Sequence, residues 1–338
     1  MKKIVFLDEY SIAGRSLEKI TSQGEYVAYE NTAKCDVVER LKDADIAITN
    51  KVVIDGEAMR QLPKLKLICI AATGMNNVDL ESAKELGIEV KNAVGYSTTS
   101  VAETTLASAL ALARNIVYFN EYFHDGRYSQ ADRAFCYDRL TFQLSGKKWG
   151  IIGMGNIGRE VARLASAFGC EVRYFSTSGV KREEAYPAME LEELMQWSDI
   201  VSVHSPLNER TRGLVGAKEL GMMKPSAMII NVARGGIIDE SALAEALDNG
   251  AIAAAALDVF SVEPLRESPL YNIKDKYKLL ASPHNAWSAA EAIDRLNSKT
   301  YIHNGDIFPK PLDFRAFSCY NCATAFKVLS KNQGENLQ

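Results

Sequence analysis

No stretch of this chain approaches the ~18 consecutive uncharged apolar residues that a membrane-spanning helix needs. Positive charge is not in excess either. There are 39 Lys and Arg against 43 Asp and Glu, a net charge of -4, so the sequence carries no electrostatic footprint for nucleic acid or an anionic membrane. Cysteines stand only at 35, 69, 136, 170, 319 and 322. The first four are isolated in apolar or helical surroundings, as expected of reduced thiols in the cytoplasm. Cys319 and Cys322 form a lone CxxC, but zinc would need a second pair or nearby histidines, and none follows. No metal site is expected. Short-period repeats and low-complexity linkers are also missing. Lys2 and Lys3 precede an apolar run that stops at Asp8. That is too short for a secretory h-region, so the run is expected to be a buried first strand.

What is present is an alternation of short apolar strands and helical stretches, the signature of an α/β protein. The length of 338 residues is about twice a typical domain, so two domains are expected. Strands are expected at 4–7, 46–49, 67–71 and 88–91, with helices at 37–42 and 80–86 between them. An Ala- and Leu-rich helix is expected over 100–119, opened by Ser100 and Glu103 as a capping box and buried because it is apolar over most of its surface. From Tyr122 to Ser145 the pattern turns irregular, aromatic and charged, which suits a protruding segment or a subunit contact. A second strand–helix series follows, with strands at 149–152, 171–175, 200–204, 227–231, 254–258 and 279–281 and a helix at 159–168.

Between the strand at 149–152 and that helix lies Gly153-Met154-Gly155-Asn156-Ile157-Gly158, a GxGxxG in the right strand–turn–helix context for a dinucleotide. Gly153 permits the tight turn, Gly155 lets the backbone approach a pyrophosphate, and Gly158 lets the helix pack on the strand. The helix N-terminus then offers N–H groups to the phosphates. An NAD site normally carries Asp or Glu about 20 residues further on. Here that position is Ser176, followed by Thr177 and Ser178, with Lys181 and Arg182 beyond. The expected coenzyme is NAD(H), with NADP(H) left open because Ser176 replaces the acid.

Three later segments carry chemistry. In Asn231-Val232-Ala233-Arg234-Gly235-Gly236 an Arg leaves a strand end into a Gly-Gly turn. Such an Arg can hold a carboxylate with two parallel hydrogen bonds. The plain alternative is that it pairs with Asp239 or Glu240. The other two are Asp258-Val259-Phe260-Ser261-Val262-Glu263-Pro264 and Ser282-Pro283-His284-Asn285-Ala286-Trp287.

In this order the four motifs resemble the D-2-hydroxyacid dehydrogenase family, over roughly residues 1–300, and within it the glycerate dehydrogenase-like branch. The resemblance implies two Rossmann-like domains: a coenzyme-binding domain (100–287) inserted into a flavodoxin-like catalytic domain made of 1–99 and 288–338. It implies a homodimer, formed with the help of Tyr122–Arg139. It makes His284 the general acid/base, a role suited to a side chain whose ordinary pKa is ~6.5. Glu263 would orient the imidazole and favour its protonated form, and Arg234 would bind the substrate carboxylate and polarise the reacting carbonyl. Asp258 matches a residue that contacts the nicotinamide carboxamide. Thr104, Val232, and His204 with Pro206 match residues beside the coenzyme. Thr73 and Gly74 match a loop whose backbone N–H groups receive the substrate carboxylate, and Trp287 would close the pocket.

The expected reaction is interconversion of a small D-2-hydroxy acid and its 2-oxo acid, such as glycerate and hydroxypyruvate or a glyoxylate-like pair. Phosphoglycerate dehydrogenase is a neighbouring alternative, but it often carries a regulatory domain, for which the last ~40 residues are too few. A dinucleotide-sensing scaffold is the alternative from another class. Past about Asn297 the resemblance stops. Family members usually end in an amphipathic helix, whereas Gly305, Pro309 and Pro311 break any helix here. The sequence is expected to reflect a shifted reading frame near Tyr301 or a diverged tail.

Overall fold

The computed structural model describes residues 1–179 and 184–299 in full, and the backbone of 302–303 and 306–307. The readings placed on Lys181 and Arg182, on the frame after Tyr301, and on Cys319 and Cys322 lie outside the described residues. The chain divides into two compact units, Met1–Ala93 with the segment from Asn297, and Val94–Leu296.

The first unit is built on a five-stranded parallel sheet in the order β2-β1-β3-β4-β5. The strands are β1 (Lys3–Phe6), β2 (Glu25–Ala28), β3 (Ile46–Thr49), β4 (Leu67–Ile70) and β5 (Glu89–Asn92). This is the flavodoxin-like order. The central strands β3 (IAIT) and β4 (LICI) are buried throughout, as parallel strands covered on both faces must be. The edges read differently. β2 (EYVA) is only partly buried, so it lacks the apolar run that announced its neighbours, and it was not anticipated.

The second unit holds six parallel strands in the order β11-β10-β9-β8-β6-β7. They are β6 (Lys148–Ile152), β7 (Glu171–Phe175), β8 (Ile200–Val203), β9 (Met228–Asn231), β10 (Ala254–Leu257) and β11 (Leu279–Ala281). An isolated parallel bridge between Tyr174 and Ala188 extends the sheet beyond β7. Two apolar clusters cover its faces. Val201, Val203, Ile229 and Leu257 point into one, and Trp149, Ile151, Met228 and Ile230 into the other. From β6 the chain moves outward to β7 and then returns to the other side as β8. The strand order therefore reverses between β6 and β8, and ligands of open α/β sheets bind at the carboxyl ends of strands at such a point.

The helix expected over 100–119 is two helices. The first spans Thr98–Ala113. Asn115 then takes a left-handed conformation (φ 48°), and a second helix spans Ile116–His124. Beyond a single tight turn at Tyr128–Gln130, the chain runs without regular structure to β6. The expected capping box is also corrected. Ser97, not Ser100, precedes the helix. The Ser100 hydroxyl is buried in the first turn, where it donates to the Ala286 carbonyl at 2.6 Å and accepts from Ala289 N at 3.3 Å. A serine three residues before a glutamate has the capping spacing, but the hydroxyl serves the loop after β11 instead.

Candidate functional site

The glycine loop opens at the carboxyl end of β6. Gly153 has φ 97°, which an L side chain rarely tolerates, and a Cβ there would crowd the His204 carbonyl group at 3.0 Å. At Gly158 a Cβ would run into the Gly153 carbonyl, so the helix Asn156–Ala167 seats directly on the turn. Gly155, just before that helix, has no protein atom within 4 Å of where its Cβ would stand. Packing does not require glycine at 155, but the approach of a bulky phosphate group would. With Met154, Ser176, His204 and Pro206, Gly153 and Gly155 line a cavity of about 260 Å³. The donor set fits a dinucleotide: a helix N-terminus for the pyrophosphate and hydroxyls at the end of β7.

His204 is a neutral member of that wall. Burial pushes its pKa down to about 3, so it cannot serve as a cation for phosphate. Its Nε2 lies 3.0 Å from Ser202 Oγ, which in turn accepts from the buried Trp149 indole at 2.9 Å. One acid that the sequence did not single out also lines the cavity, Glu184. Arg159 from the first turn of the glycine-loop helix grips it through two hydrogen bonds, of 2.9 and 2.5 Å. Tyr174 and Asn208 complete this end of the wall.

The catalytic candidates sit at the carboxyl ends of β9, β10 and β11, on loops that brace one another. Arg234 follows β9. The buried Asn231 side chain stitches its turn, accepting from Ala233 N at 3.0 Å and donating to the Arg234 carbonyl at 2.9 Å. The alternative pairing of Arg234 is not found. Asp239 caps the helix Glu240–Asn249 by accepting from Ser241 N and Ala242 N. Glu240 accepts from Ser261 N at 2.6 Å. Among the described residues Arg234 has no ion-pair partner, and its guanidinium bonds only its neighbour's carbonyl, that of Ala233.

Gly235 locks this turn to the next loop. A Cβ there would overlap the Phe260 carbonyl and stand 2.5 Å from Ser261 N. The same loop carries Glu263, whose Oε1 accepts from Phe260 N at 3.0 Å. Glu263 Oε2 lies 2.6 Å from His284 Nδ1. A carboxylate accepts only, so Nδ1 carries the hydrogen and Nε2 is left to exchange a proton. The two side chains are 31% and 22% exposed, shielded but reachable.

His284 itself has φ 57°, a left-handed conformation that a non-glycine residue holds only when its surroundings impose it. The surroundings are supplied by Asp258. Its carbonyl accepts from His284 N at 2.7 Å. Its carboxylate, on a residue 2% exposed, accepts from Ser282 Oγ, Asn285 N and Ala286 N at 2.6, 2.8 and 2.9 Å. The structure therefore gives Asp258 a loop-bracing role beside the coenzyme contact that the sequence suggested. Asp258→Ala should cost about 1–3 kcal/mol, the penalty for leaving the one fully buried donor, Ala286 N, without an acceptor, the Ser282 and Asn285 donors lying nearer water. The readout is a lower denaturant midpoint at unchanged slope, and a loss below ~1 kcal/mol would show that the loop does not depend on this carboxylate.

The remaining predicted residues divide between the units. Thr104 lies on the helix Thr98–Ala113, its hydroxyl donating to the Ser100 carbonyl at 3.0 Å and reaching the Ala286 carbonyl at 3.5 Å. Val232 is buried in the core beside the Arg234 turn. Trp287 meets Tyr96 edge to face, with centroids 6.1 Å apart. Sequence reasoning missed Tyr96. Burial pushes its hydroxyl up to about 12 while the nearby Arg234 charge opposes the shift, so it is a neutral phenol within the field of that Arg. Thr73 and Gly74 belong to the first unit, just past β4. There Thr73 donates to the Ala93 carbonyl at 3.0 Å, and its own carbonyl accepts from Asn92 Nδ2 at 2.6 Å. No group of His, Cys, Asp and Glu able to hold a metal occurs among the described residues.

Known proteins resemble this chain over most of its length. Residues 106–286 match the profile of the D-isomer specific 2-hydroxyacid dehydrogenase NAD binding domain. The glycerate dehydrogenase of Methylorubrum extorquens is 37% identical over 300 residues, covering 87% of this chain and 92% of that one. The hydroxypyruvate reductase of Blautia hydrogenotrophica is 35% identical, with 87% and 93% covered. A solved structure, the NADPH-dependent glyoxylate/hydroxypyruvate reductase of Sinorhizobium meliloti in complex with NADP and malonate, superposes with a TM-score of 0.77. Its identity is 25%, over 89% of this chain and 92% of that one.

Proposed function

The chain belongs to the D-isomer specific 2-hydroxyacid dehydrogenases, and on that premise we propose that it reduces hydroxypyruvate, glyoxylate or a 2-oxo acid of similar size, and in reverse oxidises glycerate. It is an NAD(P)-dependent oxidoreductase that interconverts 2-hydroxy and 2-oxo acids. The observation that carries the residue assignment is the His284–Glu263 pair, held one loop away from a guanidinium that has no ion-pair partner among the described residues.

Arg234 binds the substrate carboxylate with its parallel donors and polarises the 2-oxo carbonyl. Thr73 and Gly74 match, by motif alone, a loop whose backbone N–H groups receive a substrate carboxylate. His284 Nε2 gives its proton to the carbonyl oxygen during reduction and takes it back during oxidation. Glu263, bonded to Nδ1, fixes the ring orientation and tautomer that leave Nε2 facing the proton transfer. The bound nicotinamide supplies the hydride for reduction and accepts it in the reverse direction. Gly155 and the following helix N-terminus hold its pyrophosphate, with Ser176 at the adenosine ribose. Tested on hydroxypyruvate, glyoxylate, pyruvate and phosphohydroxypyruvate with each coenzyme, the protein should turn over the small unphosphorylated acids. Coenzyme binding without any turnover would instead identify a sensor.

The working unit is a homodimer of this chain in the cytoplasm. Phe135, Tyr137 and Leu140 are 74%, 77% and 81% exposed in the segment without regular structure, a concentration of apolar surface that marks a protein contact. The described cysteines Cys35, Cys69, Cys136 and Cys170 are free thiols, as a reducing compartment would keep them. No helix among the described residues is long and apolar enough to cross a membrane. Sedimentation should give twice the chain mass for the native protein and a monomer for Tyr137→Glu with Leu140→Glu. A native monomer would refute the dimer.

A further inference from the structure

We propose that the coenzyme pocket is built for a 2′-phosphorylated dinucleotide, and that Arg210 is the residue that selects it. The inference rests on reading the chain as a nicotinamide-dependent dehydrogenase and goes on to name the coenzyme and its discriminating side chain.

The end of β7 offers hydroxyls where an NAD site offers an acid. Ser176 Oγ and Ser178 Oγ converge to 3.3 Å. Across from them, the loop after β8 delivers Arg210, whose Nη1 donates to the Ser178 carbonyl at 3.1 Å and stands 3.8 Å from where a Gly179 Cβ would be. That anchorage uses one of the five guanidinium donors and, among the described residues, leaves the others for an anion.

The base of Arg210 is fixed. Its backbone N–H donates to Asn208 Oδ1 at 2.9 Å. The turn behind it is closed by the fully buried Thr211, which donates to the Pro206 carbonyl at 2.6 Å and accepts from Asn208 N at 2.9 Å. An Arg held this way at the ribose end of the pocket differs from a freely swinging surface cation.

Charge balance points the same way. Glu184 is the one acid among the described residues lining the pocket, and its carboxylate is neutralised by the two-pronged grip of Arg159. Its side chain is 8% exposed. The neighbouring Glu209 is exposed and forms no ion pair with Arg210 among the described residues. A 2′-phosphate would therefore meet hydroxyl donors and an available guanidinium, with no unpaired carboxylate on the described wall. A 2′-hydroxyl alone would leave the Arg210 donors to water.

The test is the ratio of kcat/KM for NADPH to that for NADH, measured on the full chain with one saturating 2-oxo acid. The native ratio should exceed one. Arg210→Gln should lower it about tenfold to a hundredfold, the worth of one or two charge-assisted hydrogen bonds. Ser176→Asp should lower it at least as far, by placing a carboxylate against the phosphate. A native preference for NADH, or a ratio unmoved by Arg210→Gln, would overturn the proposal. If no 2-oxo acid is turned over, the dehydrogenase reading fails on its own. The same ratio is then taken from equilibrium titration of NADPH and NADH, followed by protein fluorescence. Equal affinity, or binding of neither, would overturn the proposal there too.

Discussion

His284→Ala is expected to lower kcat for 2-oxo acid reduction by about 100- to 10,000-fold, the usual contribution of a positioned general acid, while the dissociation constant for the coenzyme changes little. The separation follows from where the side chain sits. Its Nδ1 is committed to Glu263, and it does not line the cavity formed by Gly153, Gly155 and Ser176. Glu263, which the imidazole bonds, does not line that cavity either. Imidazole added to the variant should restore part of the rate, because the missing function is a proton at one position. Stopped assays on purified protein give kcat, and titration gives the affinity. Turnover within tenfold of native would remove His284 from the reaction.

Gly235→Ala should be nearly as damaging, although the residue bears no reactive group. The added Cβ would overlap the Phe260 carbonyl. That atom is backbone and cannot rotate aside, so the loop of residues 260–263 must move. With it would go the Ser261–Glu240 and Phe260–Glu263 bonds and the seat of Glu263 against His284. A shift of ~1 Å in a catalytic group can cost about a hundredfold in rate, and overpacking of this kind costs about 1–3 kcal/mol in stability. Gly221→Ala is the control, since a Cβ there meets nothing within 4 Å, and it should leave rate and melting temperature close to native. If Gly235→Ala keeps native kcat, the two loops are not coupled as the packing indicates.

The comparison of sequence with structure shows which signals are local. The glycine loop was legible because its turn, its phosphate face and its helix seat all fall within residues 153–158. The buried strands β3, β4, β8 and β9 were legible because sheets covered on both faces demand unbroken apolar runs. β2 was not, because an edge strand needs no such run. Ser100 misled because a spacing that fits a cap also fits a helix residue reaching a distant carbonyl, and only the position of Ala286 separates the two. The roles of Asn231, Gly235, Glu240 and Tyr96 were invisible for the same reason. Each acts on a partner that the sheet order brings near, and nothing in its own neighbourhood names that partner. Asp258 was legible as part of a motif, but its grip on residues 282–286 became visible only in three dimensions.

The most direct test of the account is to supply hydroxypyruvate and reduced coenzyme to the native protein, follow loss of the reduced nicotinamide absorbance, and resolve the product by chiral chromatography. The account predicts glycerate of the D configuration in one-to-one proportion with coenzyme oxidised. L-glycerate, or bound coenzyme that is never oxidised by any small 2-oxo acid, would contradict it.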